Sequence, residues 1–228
     1  MTTAQPASPS PAFPETASAL TLAGPAGNLE VVVELPEGAG RAGTAIVCHP
    51  HPLHGGTLHN KVVTMLSRAL AELGLAVVRF NFRGVGASQG SYDEGRGETD
   101  DLRAVAAWVR QQRPHDAVWL AGFSFGSYVA LRAAKSLDVA QLIQIAPPVG
   151  RWAFESIDLP DCPWLVVQGE ADEVVDPNAV YQWIEGLERP PQLIRMPDTS
   201  HYFHRRLMDL RGAVKHAVQA NLPPERLA

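Results

Sequence analysis

An α/β fold, with a mainly parallel twisted sheet and helices on both faces, is predicted by three observations in this 228-residue chain. From residue 43 onward, short apolar runs alternate with segments whose apolar residues recur at helical spacing. That is the order of strand–helix–strand units, which build parallel sheets. The short runs are apolar at successive positions, as strands covered on both faces are. The third observation is Gly122-Phe123-Ser124-Phe125-Gly126, standing where one such run meets a helix-competent segment. A chain of this length suffices for one well-buried domain, expected over residues 18–228.

Residues 1–17 are rich in Pro, Ala, Ser and Thr and lack both the basic start and the apolar core of a secretory signal. A disordered tail is expected there. Residues 18–22 and 29–35 are β-prone and flank Gly24-Pro25-Ala26-Gly27-Asn28, which predicts an antiparallel hairpin at the amino end. Residues 43–48 read as a buried strand. Over 61–73, Val62, Leu66, Leu70 and Leu73 repeat at helical spacing and the pattern stops at Gly74. A strand over 75–80 follows, then a helix over 101–113 with Leu102, Val105, Ala106 and Val109 on one face. The strand leading into Phe123 precedes a helix to residue 137. Strands are expected over 140–145 and 164–168, and a helix over 177–187 carries Val180, Trp183, Ile184 and Leu187 in register. A strand over 192–196 and a helix over 203–218 complete the alternation.

Nineteen Lys and Arg against 24 Asp and Glu give a formal net charge of −5. With no basic cluster, neither nucleic acid nor an anionic membrane surface is an expected partner. No apolar run approaches the length of a membrane span, about 18 residues. Cys48 and Cys162 fall in or beside predicted buried strands and read as small free apolar residues, and with no secretory signal read in the amino-terminal stretch a cytoplasmic location is expected.

The strand-to-helix context turns the Gly-x-Ser-x-Gly pattern into a candidate nucleophile elbow. The serine is held on a sharp turn, the glycines avoid collision with neighbouring backbone, and the following helix aims its N-terminus at charge on a bound acyl group. A serine hydroxyl is a weak nucleophile and needs a base. His201, after Pro197-Asp198-Thr199-Ser200, sits beyond the carboxyl end of a strand, where open α/β sheets bind ligands. His204 falls in the predicted last helix and could serve only if that turn is misread. For the acid, Asp172 lies in the tight loop beyond 164–168. Asp176, just before Pro177, reads as a helix N-cap, and Glu170 and Glu173 read as solvated loop charges.

The order Ser124, Asp172, His201 is that of α/β-hydrolases. The sequence resembles the small lidless bacterial members marked by His-Pro-His-Pro-Leu-x-Gly-Gly-Thr. Here that segment is His49-Pro50-His51-Pro52-Leu53-His54-Gly55-Gly56-Thr57, continuing into Asn60-Lys61-Val62-Val63. Asn81 to Gly90 resembles the family's loop after the fourth strand, 169–176 its acid loop, and His201-Tyr202-Phe203 its histidine loop. The likeness spans about residues 29–218. It implies an α/β-hydrolase fold, and the connection 146–163 is too short to hold a lid domain.

It further implies a serine hydrolase acting on small or short-chain carboxylic esters through an acyl-enzyme, with Ser124, His201 and Asp172 as catalytic triad. A peptidase or acyltransferase on the same triad, or a non-catalytic binding protein of this fold, are the alternatives. Backbone N–H groups of Phe125 and His51 are expected to form the oxyanion hole. Leu53 is the other candidate, since Pro50 and Pro52 have no N–H. Trp152 and Phe154 are expected either to line the substrate rim or to pack against the sheet, and Arg83 to tie loops together. His49, His51, His54 and His59 have the look of metal-ligand spacing. The later strand ends offer only His201 to complete such a set, so neither metal nor cofactor is expected.

Overall fold

The computed structural model describes residues 10–226. Strands β1 (Ser18–Gly24) and β2 (Gly27–Glu34) form the expected antiparallel hairpin, with Leu22 opposite Leu29. β2 then pairs antiparallel with β4 (Ala76–Phe80). Next to β4 lie β3 (Gly43–Cys48), β5 (Ala117–Phe123), β6 (Gln141–Ile145), β7 (Trp164–Gly169) and β8 (Gln192–Met196), each parallel to its neighbour. The result is one eight-stranded sheet in the order β1-β2-β4-β3-β5-β6-β7-β8.

Successive side chains of the central strands enter different cores, which is why those runs are apolar throughout. Ala45 and Val47 of β3 join one cluster with Trp119, Ala121 and Phe123 of β5. That core is covered by α1 (Lys61–Glu72) and α5 (Leu207–Val218), through Val62, Leu66, Leu70, Leu210 and Val214. Ile46, Cys48, Val118 and Leu120 face the other core. It is covered by α2 (Arg96–Gln112), α3 (Phe125–Ala134) and α4 (Pro177–Glu185), through Leu102, Val105, Val129, Val180 and Ile184. Fully burying one such aliphatic side chain stabilises by about 1.5–3 kcal/mol.

Two helix starts differ from expectation. The helix expected from residue 101 begins at Arg96, because the buried Glu98 carboxylate accepts the N–H groups of Asp93 and Gly95 and closes the first turn from inside. No apolar periodicity marks that turn. The helix expected from residue 203 begins at Leu207. Phe203 and Arg205 adopt left-handed φ of 52° and 60°, and Phe203 is buried in the sheet core instead of starting the helix.

Of the expected amino-terminal tail, residues 1–9 lie outside the described residues. Residues 10–17 carry neither helix nor strand. Within them Phe13 stacks on Trp108 of α2 with ring centroids 5.2 Å apart, and the Trp108 indole N–H donates to the Pro11 carbonyl at 2.8 Å. One aromatic anchor holds this stretch on the domain. The connection from β6 to β7 carries a single turn of 3₁₀ helix, Phe154–Ser156, and no lid. Among the described residues no helix is long and apolar enough to cross a membrane.

Candidate active site

β5 ends at Phe123 and α3 starts at Phe125, so the reversal falls on Ser124, at φ 52° and ψ −120°. A non-glycine residue in such backbone costs about 1–3 kcal/mol and persists only where its surroundings enforce it. Here the enforcement is close packing. A Cβ on Gly122 would lie 2.3 Å from the Gly126 carbonyl oxygen. One on Gly126 would lie 2.3 Å from that of Cys48 and 2.5 Å from that of His49. The glycines therefore shape the elbow and also let the end of β3 rest on the first turn of α3. The Ser124 N–H donates to the Ile145 carbonyl at 2.8 Å, fixing the turn to the end of β6.

β7 and β8 end beside the elbow, and their loops bring Asp172 and His201 to it. His201 Nδ1 lies 2.8 Å from Asp172 Oδ2, and His201 Nε2 lies 3.2 Å from Ser124 Oγ. Both side chains of the His–Asp pair are buried. Asp172 Oδ1 accepts the N–H groups of Val174 and Val175 at 2.9 and 2.7 Å, and Oδ2 accepts a second donor, Gln168 Nε2, at 3.0 Å. Burial works against ionisation of Asp172. The hydrogen bond and charge of His201 and the two backbone N–H groups outweigh it, and the carboxyl is held below its usual range. An ionised carboxylate only accepts, so His201 Nδ1 carries the proton and Nε2 offers its lone pair to the Ser124 hydroxyl. This arrangement can remove a proton from the serine.

Two partners in this cluster were not recognised from sequence. Gln168 interrupts the otherwise apolar run Trp164-Leu165-Val166-Val167, and a buried amide in a central strand was the available signal. Glu173, expected as a solvated charge, accepts the backbone N–H of His201 at 3.1 Å; nothing in its loop sequence marks it. Asp176 caps α4 by accepting from Asn178 N–H at 3.0 Å, and His204 is exposed.

The histidine-rich loop after β3 uses its rings as struts. His49 is buried, with Nδ1 2.6 Å from the Pro50 carbonyl and Nε2 accepting the Phe82 N–H at 3.0 Å. Burial, only partly opposed by the Pro50 hydrogen bond, lowers its pKa to about 4. His51 Nδ1 accepts the Leu53 N–H at 3.2 Å, which puts the ring proton on Nε2, 3.2 Å from the Tyr92 hydroxyl. The His51 ring packs against Phe125 and Trp152 at centroid distances of 5.1 and 5.7 Å. Leu53 N–H is thus occupied. Among the described residues the N–H groups of His51 and Phe125 have no internal acceptor. No group of three or more His, Cys, Asp or Glu among the described residues could hold a metal ion.

A cavity of about 350 Å³ opens onto Ser124 and His201, lined among others by His51, Arg151, Trp152 and Tyr202. Phe154 is not at this rim. It is buried against Tyr128 and Trp183, at centroid distances of 5.4 and 5.0 Å, because the 3₁₀ turn points it into the core. Arg83 ties its loop to α2 through Asp101, with Nη2 at 2.8 Å from Oδ1. Cys48 and Cys162 are free thiols.

Residues 53–144 match the sequence profile of the α/β-hydrolase fold. The solved structure of XC6422 from Xanthomonas campestris, described as an α/β serine hydrolase without lid, is 63% identical. It superposes with a TM-score of 0.91 over 93% of this chain and 98% of that one. The chain belongs to the lidless α/β serine hydrolases. An α/β serine hydrolase homologue from Coxiella burnetii is 48% identical, with a TM-score of 0.87 over 90% of this chain and 99% of its own. A curated relative from Rickettsia prowazekii is 31% identical over 190 residues, 78% of this chain and 80% of the relative. β6 runs into β7 without an intervening domain, so the cavity at Ser124 opens directly to solvent.

Proposed function

We propose that this α/β serine hydrolase is a carboxylesterase working through an acyl-enzyme. Ser124 Oγ attacks the ester carbonyl while His201 Nε2 takes its proton. The carbonyl oxygen becomes an oxyanion held by the N–H groups of Phe125 and His51. On collapse the C–O bond to the alcohol breaks and His201 returns the proton to the departing alkoxide. Water, deprotonated by the same imidazole, then cleaves the acyl-enzyme, and Ser124 regains its proton. Asp172 stays ionised and stabilises the imidazolium. The observation carrying this reading is the unbroken line Asp172 Oδ2–His201–Ser124 Oγ, with distances of 2.8 and 3.2 Å, at the floor of an open cavity.

A cavity near 350 Å³ is at the small end for ligand sites and suits short acyl groups. The test is twofold. A fluorophosphonate should label Ser124, as located by mass mapping, and Ser124→Ala should lower kcat on p-nitrophenyl butyrate by about 10⁶. Retention of more than a thousandth of the activity in purified Ser124→Ala would sink the assignment. Faster turnover of aminoacyl amides than of esters would convert it to a peptidase.

A further inference from the structure

Among the described residues, the lining of the cavity over Ser124 has one permanently charged side chain, Arg151, and no Asp or Glu. This contrasts with the rest of a chain that carries more acidic than basic residues. Arg151 is exposed on the β6–β7 connection, and its Nη2 donates to the Val174 carbonyl of the acid loop at 2.7 Å. The bond holds the guanidinium at the cavity mouth. It leaves Nε and Nη1 without an internal acceptor among the described residues. Four other arginines are neutralised locally, Arg96 by Asp93, Arg103 by Asp100, Arg189 by Asp161 and Arg206 by Asp209, at 2.7–3.1 Å, while the exposed Arg110, Arg195 and Arg205 have no carboxylate partner among the described residues. Arg151 also has no such carboxylate among the described residues, and of these arginines it is the one that lines the cavity over Ser124. A fixed guanidinium offers a planar fork that matches a carboxylate, and the apolar walls supplied by Pro50, Pro148, Trp152 and Val175 concentrate its field.

We propose that Arg151 forms an anion subsite of this cleft, and that the esters the enzyme favours carry a carboxylate. The inference rests on the carboxylesterase reading and specifies its substrate class. The small cavity keeps the carboxylate within a few bonds of the scissile carbonyl, either on the acyl chain or on the alcohol. Nothing in the chemistry changes: the same acyl transfer to Ser124 occurs, with an ion pair formed on binding.

The test compares kcat/KM for three esters at low ionic strength: p-nitrophenyl butyrate, p-nitrophenyl hemiglutarate with the charge on the acyl group, and 4-butyryloxybenzoate with the charge on the leaving group. Arg151→Gln should lower the charged-to-neutral ratio about tenfold for at least one charged ester, and Arg151→Lys should restore part of it. Which ester responds identifies the side that carries the anion. Raising the salt to 0.5 M should shrink the wild-type ratio while leaving the Arg151→Gln ratio nearly level. If Arg151→Gln changes all three esters by the same factor, the subsite does not exist, whatever the esterase does. If wild type turns over none of the three, the esterase reading fails first and this proposal falls with it.

Discussion

The acid loop after β7 and the histidine-rich loop after β3 both border the cavity at Ser124, yet they handle hydrogen bonding in opposite ways. In the acid loop every acceptor position that matters is filled beforehand: Asp172 receives two backbone N–H groups, the Gln168 amide and His201 Nδ1. In the histidine loop the rings are equally well tied, His49 to Phe82 and His51 to Leu53 and Tyr92, but the backbone N–H of His51 has no acceptor among the described residues. On the proposed roles, the difference follows from when each charge exists. A permanent buried carboxylate must be satisfied in the resting protein, or its burial would cost several kcal/mol. An oxyanion exists only during turnover, so its donors must be oriented and empty until then. If the His51 N–H takes the proposed role, the rings of His49 and His51 hold that empty position in shape.

Asp172→Asn gives the largest break in this contrast. The asparagine fits the same space but cannot accept on both sides, and an NH₂ facing His201 would turn the imidazole to the wrong tautomer. On the proposed roles kcat should fall by roughly 10⁴ with the fold intact, checked by ester kinetics alongside circular dichroism. A loss under tenfold would mean that the saturated carboxylate is structural only. Gly126→Ala attacks the other loop. Its methyl would meet the Cys48 and His49 carbonyl oxygens at 2.3 and 2.5 Å and push the end of β3 off α3. Displacing the His51 N–H should lower kcat by about 10²–10³, with KM little changed. Unaltered kcat would show that the β3 loop supplies no donor.

His49 sharpens the comparison through stability. Its pKa is about 4 in the folded protein, chiefly because it is buried, against about 6.5 in an unfolded chain. Below pH 6.5 the unfolded chain therefore binds a proton that the native protein does not. This site should remove about 3 kcal/mol of stability between pH 6.5 and 4 and nothing above pH 7. Denaturant unfolding at pH 7 and pH 4.5, in wild type and His49→Gln, measures it. The variant should have the flatter acid limb even if it is less stable throughout. Equal acid losses in the two proteins would show that the imidazole already titrates in the native state.

The parts of this architecture written in local chemistry were legible from sequence. Continuous apolar runs disclosed the two-sided sheet, Asp176-Pro177 disclosed a capped helix, and chain order singled out Ser124, Asp172 and His201, which the fold brings together. What was not legible depended on which partner a side chain or backbone group meets once the chain is folded. The start of α2 is set by Glu98 reaching back to Asp93 and Gly95, in a segment with no apolar rhythm. The delayed start of α5 is set by Phe203 entering the sheet core. Phe154 and Trp152, two residues apart and chemically alike, part ways because the intervening turn buries one and leaves the other lining the cavity. Glu173 acquires its role only when the β8 loop arrives with the His201 N–H. Backbone reach across 28 positions leaves no trace in residue type.

Gln168 is where stability and activity should separate by the smallest margin. Its Nε2 donates to Asp172 Oδ2 and to the Gly169 carbonyl, but its Oε1 is buried with no partner among the described residues. An unsatisfied buried acceptor costs about 1–3 kcal/mol, comparable with what the two donated bonds return. A residue selected for stability alone would be apolar here, like the Leu165, Val166 and Val167 preceding it in β7. Gln168→Leu should therefore leave the unfolding free energy unchanged or raised by up to about 1 kcal/mol, because the orphaned oxygen goes with the amide. The same change strips Asp172 of one of its four donors and frees the carboxylate to turn. On the proposed roles kcat should drop about tenfold with KM nearly constant. The two measurements have to move apart. If Gln168→Leu is both less stable and as active as wild type, the amide serves the sheet and not the acid.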